Sequence, residues 1–80
     1  MFQKLVKTDE IEVAEQVYPV RYYEAQTLTG MRRYSSEILI GPADRIILDG
    51  NSLTGLESQV VRLVPATIYS RMLVARATAA

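Results

Sequence analysis

Eighty residues with nine basic and nine acidic side chains, 49% hydrophobic and 22% charged, have the composition of one small globular domain, and the even charge argues against a strongly electrostatic nucleic-acid or membrane partner. There is no Cys, His or Trp, which removes disulfides, thiolate and imidazole metal sites, Cys nucleophiles and the commonest general base. No apolar run approaches the roughly 18 residues of a membrane span and no signal-peptide pattern precedes residue 20, so the expectation is a cytoplasmic, non-catalytic protein without cofactor or metal.

Residues 1–8 form an amphipathic lead-in, in which Phe2, Leu5 and Val6 are placed to tuck against the body and the end is expected to fray. Residues 9–17 carry two competing patterns. Glu10, Ile11, Glu12 and Val13 alternate as a half-buried strand does, while Asp9 and Glu12 have capping-box spacing with Ile11, Ala14 and Val17 on one helical face. Strand is the preferred reading. Pro19 is expected to interrupt either one, because a helix does not readily pass it and a central strand misses its N–H.

Residues 20–27 are rich in β formers and read as a strand, followed by a Leu28, Thr29, Gly30 turn in which Gly30 takes positive φ in a three-residue loop with a G1 bulge. Residues 31–40 return as the next strand and residues 45–49 as another. The two apolar runs 38–40 and 46–48 flank a Gly41, Pro42, Ala43, Asp44 turn and are expected to be the central, most buried strands. Every connection is too short for a parallel crossover, so the sheet is an antiparallel meander.

After the turn residues at 49–52 the period changes. Thr54 and Glu57 have capping-box spacing, and Leu56, Val60, Leu63 and Val64 recur at helical intervals, predicting a helix over 55–64. Pro65 either ends that helix or opens a second one, whose apolar face is Ile68, Tyr69, Met72 and Leu73 with Arg76 near its end. The β-branched residues of 60–64 and 67–74 offer a competing reading as strands. Residues 77–80 are a small-residue tail expected to fray. The predicted fold class is α+β: one domain over 1–80, a small antiparallel β-meander of three to four strands followed by one or two C-terminal helices packed on one sheet face.

One constellation suggests chemistry. If partners across the first hairpin sum to 57, Arg21, Tyr23, Arg32 and Tyr34 share one sheet face, the basic and aromatic platform on which single-stranded nucleic acids stack and pair their phosphates. In a register summing to 58 the four scatter, and cross-strand Tyr and Arg–Glu pairs are in any case ordinary sheet stabilisation. The acidic run Asp9, Glu10, Glu12 and Glu15 and the basic Arg62, Arg71 and Arg76 could be complementary surfaces for self-association, or the acids a metal patch, although such runs are usually solvated faces and no loop with hard-cation geometry is present. Asp44, Asp49 and Asn51 sit in turns, where their side chains ordinarily bond their own backbone. The functional expectation is a protein-interaction or self-association module, with a protein partner or a second copy supplying buried area that an 80-residue core lacks. The alternative is a small single-stranded nucleic-acid-binding domain.

Overall fold

The computed structural model describes the backbone of residues 3–79 and the side chains of residues 3–76. Four strands, β1 (Gln3–Val13), β2 (Gln16–Gln26), β3 (Arg32–Gly41) and β4 (Asp44–Gly50), form one antiparallel sheet in the order β1-β2-β3-β4, and a single helix, α1 (Leu53–Ala79), follows. The chain is thus an α+β domain: a meander with one C-terminal helix on one sheet face. Phe2 lies outside the described residues, while residues 3–8 are the first half of β1, with Leu5 and Val6 exposed. The alternating pattern of residues 10–13 prevails over the capping-box pattern, and Ala14 and Glu15 turn the chain directly into β2.

Pro19 does not interrupt β2. Its pairing explains why: Pro19 lies opposite Glu10 of β1, and the ladder to β3 stops one residue short of it, at Val20 and Ile38. The apolar runs 38–40 and 46–48 do form a hairpin, but the expectation that both are central and buried fails. The central strands are β2 and β3, β4 is an edge, Ile38 and Ile46 are buried, and Ile47 is 55% exposed. With only one face covered, residues alternate in and out.

The core lies between that face and α1. Val13, Tyr18, Val20, Tyr22, Ile38 and Ile46 point from the sheet at Leu56, Val60, Val64 and Ile68, with Ile11, Tyr34, Ile40, Leu48, Leu53 and Met72 packed around them. Each fully buried aliphatic side chain contributes roughly 1.5–3 kcal/mol. The four helix residues recur at i, i+4, so one ridge of α1 lies on the sheet. Two ion pairs pin the helix beside that ridge: Lys7 to Glu57 at 2.6 Å near its start, and Arg71 to Asp44 at 2.8 Å further along.

Ser52, not Thr54, caps the helix. Its Oγ accepts the Gly55 N–H at 3.1 Å and its carbonyl accepts the Leu56 N–H at 3.1 Å, which leaves Glu57 for Lys7. The helix then runs through Pro65 without a break, so there is one helix rather than two. Pro65 lacks the N–H that the Val61 carbonyl would otherwise accept, and the Thr67 hydroxyl donates to the Leu63 carbonyl at 2.9 Å in the same stretch. Packing of Val60, Val64 and Ile68 on the sheet overrides the local preference to stop. Among the described residues no helix is long and apolar enough to cross a membrane.

Candidate interaction surface

The hairpin between β2 and β3 decides which side chains share a face. Thr27 N–H donates to the Met31 carbonyl at 2.8 Å and Gly30 N–H to the Thr27 carbonyl at 3.0 Å, closing a three-residue loop with Gly30 at φ 86°. The resulting pairs, Tyr22 with Ser36, Tyr23 with Ser35 and Ala25 with Arg33, sum to 58. Arg21, Tyr23, Arg32 and Tyr34 therefore do not converge. Arg21 and Tyr23 are on the face away from α1; Tyr34 packs against the core on the helix side, and Arg32 is diagonal to Glu24 on that side, 3.6 Å from its carboxylate. Arg33, which the 57 register hides, joins Arg21 and Tyr23 instead.

The uncovered sheet face is mixed rather than apolar. At its middle Glu37 lies between Arg21, 3.6 Å from Oε1, and Arg45, whose guanidinium donates to Oε2 at 2.7 Å. Glu37 is largely shielded while both arginines stay solvated, so the trio is held by geometry at modest net gain. Glu10 and Glu12 of the acidic run also face this way, paired opposite Pro19 and Val17. Asp9 turns to the helix side, 3.9 Å from Lys7.

On the helix side, Lys7 Nζ donates to Glu57 Oε2 and sits 5.6 Å above the centre of the Tyr22 ring. The Glu57 hydrogen bond holds the Lys7 pKa above its ordinary value, while burial raises that of the Tyr22 phenol. This group clamps β1 and β2 to the start of α1.

The outer side of α1 is the remaining surface, and here the predicted apolar face splits. Ile68 and Met72 turn in, whereas Tyr69 and Leu73 stay out, 51% and 66% exposed, because the unbroken helix keeps the 56, 60, 64, 68 ridge on the sheet. One residue over lies a parallel i, i+4 ridge: Glu57, Val61 (72% exposed), Pro65, Tyr69 and Leu73. At its start a shallow, open dip is lined by Thr54, Glu57, Ser58 and Val61. The spacing of this ridge is written in the sequence, but reading Tyr69 and Leu73 as core conceals it. Comparison with family models, with curated proteins and with solved structures finds no match to this chain, so its own surface carries the functional reading.

Proposed function

We propose that the chain is a non-catalytic self-association module, its fold completed by protein contact. The observation that supports this is surface. The chain exposes 5803 Å², whereas a monomer of 9.0 kDa is expected to expose about 4,850 Å². The excess of roughly 950 Å² goes with the elongated shape, 50 × 20 × 16 Å, and leaves the chain with more uncovered surface than a compact monomer of its mass. Apolar side chains contribute to the exposed surface on both sides of the molecule: Leu5, Val17 and Ile47 on the open sheet face, and Val61, Tyr69, Leu73 and Val74 on α1, are each at least half exposed.

The nucleic-acid alternative retains Arg21, Tyr23 and Arg33 on one face, with Arg21 already engaged by Glu37. No observation favours it over protein contact. Sedimentation velocity from about 10 μM to about 1 mM tests the reading by mass action. A rising sedimentation coefficient is expected; a monomer at every concentration overturns it.

A further inference from the structure

We propose that the second copy docks on the outer ridge of α1, Val61, Pro65, Tyr69 and Leu73 packing antiparallel on the same ridge about a two-fold axis. The inference rests on the self-association reading and adds the surface, the occupant and its direction.

Of the two broad faces, the open sheet face and the outer side of α1, charge favours the helix. Closing the open sheet face would desolvate Glu37 with Arg21 and Arg45, together with Glu10, Glu12 and Asp49, at a cost that ion pairing rarely returns. The helix ridge has one charge beside it, the exposed Arg62, whose long side chain can stay in water at the rim, and no acid between Val61 and Leu73. Packed ridge into groove at the shallow crossing angle of about 20° found in helix bundles, such side chains stay in contact along the stretch from 61 to 73, about 18 Å of axis.

Direction follows from the residues at its ends. In an antiparallel pair centred near residue 67, Val61 meets Leu73 of the second copy and Pro65 meets Tyr69, so each small side chain faces a large one. A parallel pair would set Tyr69 on Tyr69 and Leu73 on Leu73, with Val61 opposite Val61. The antiparallel pair also brings Arg76 of one copy over Ser58 of the other, at the dip lined by Thr54, Glu57, Ser58 and Val61. Glu57 is the only acid in α1; Lys7 already takes its Oε2, and its carboxylate belongs to the same lining, where an arriving guanidinium would share it. Because the contact is isologous, it closes at two copies and leaves no surface to propagate.

The 80-residue chain has no cysteine, so crosslinks report the geometry directly. Equimolar Val61→Cys and Leu73→Cys chains, mixed and oxidised at about 0.5 mM, are expected to give a crosslinked species holding one of each, while Val61→Cys alone gives none. Leu73→Glu is expected to raise the dimer dissociation constant by on the order of tenfold or more, with an unchanged far-UV spectrum and dilute melting temperature because the position is exposed. Val61→Glu, at the other end of the ridge, repeats the test. A wild-type dimer that survives both charge substitutions and forms no mixed crosslink overturns the ridge and leaves self-association standing; a wild-type monomer at about 1 mM overturns both.

Discussion

Ser36 shows how much of this core depends on single positions. It is fully buried between Tyr22 and Leu48 on the helix side of the sheet, and its hydroxyl has no hydrogen-bond partner. An unpaired buried hydroxyl costs more than the few atoms it contributes to packing, so Ser36→Ala is expected to raise stability by about 1 kcal/mol, seen as a higher urea midpoint at unchanged slope. A lower midpoint would mean that the hydroxyl is paired. Tyr22 and Lys7 set a second residue-level expectation, at alkaline pH. Both pKa values lie above their ordinary 10.0 and 10.5, the phenol through burial and the ammonium through Glu57. The unfolded chain therefore releases these protons first, it binds fewer protons than the folded one, and stability falls as pH rises above about 10. Urea midpoints at pH 9 and 11 check this, and Tyr22→Phe is expected to flatten the loss. At this scale the sequence was legible where one residue type dictates one conformation. Gly30 with its positive φ marks the loop, yet the face assignment of Arg32 and Tyr34 depends on whether that loop has three residues or four.

The β1–β2 turn sets the element scale. Ala14 at φ 51° and Glu15 at φ 68° both occupy the left-handed region, the conformation of a two-residue I′ turn, which Asn and Gly adopt far more readily. Holding a residue with a Cβ there costs roughly 1–2 kcal/mol, so Glu15→Gly with Ala14→Asn is expected to stabilise the chain by about that much in thermal or urea melts. No gain would show that the turn relaxes elsewhere. This turn was hidden in the sequence because its residues carry none of the usual turn chemistry, and residues 9–17 consequently read as one segment. The start of α1 was misplaced for the opposite reason, since Thr54 with Glu57 fits the capping pattern and Ser52 with Gly55 does not, although Ser52 makes the cap. Gly55 is suited to that cap, since a Cβ there would lie 2.9 Å from Ser52 Oγ. Ser52→Ala is accordingly expected to cost about 1 kcal/mol in urea melts, and a loss under 0.3 kcal/mol would argue that the hydrogen bond carries little weight. The continuity of α1 through Pro65 was illegible in any local window, because it is the sheet beneath Val60, Val64 and Ile68 that holds the two halves in line.

The whole molecule is elongated, 50 × 20 × 16 Å with a radius of gyration of 14.3 Å, against about 11.6 Å for a compact chain of this length. The meander and the following helix were legible from the period change at residues 49–52, but the shape was not. It arises because strands of eleven residues and a helix of twenty-seven lie along one axis as two thin layers. Such a layer pair buries few residues on both sides, and its stability is correspondingly open to reinforcement by association. If the helix ridge pairs with a second copy, folding and dimerisation are linked, and the melting temperature depends on protein concentration. Above the dissociation constant, a hundredfold rise in concentration adds about 2.7 kcal/mol per dimer, or about 1.4 per chain. For a domain of this size, where each kcal/mol moves the midpoint by about 4–8 °C, the melting temperature is expected to rise by roughly 5–10 °C. Differential scanning calorimetry across that range reads the shift directly. Leu73→Glu should abolish the dependence while leaving the dilute melting temperature in place, since the side chain is exposed in the single chain and covered only in the pair. A midpoint independent of concentration in the wild-type chain would place its full stability within one copy.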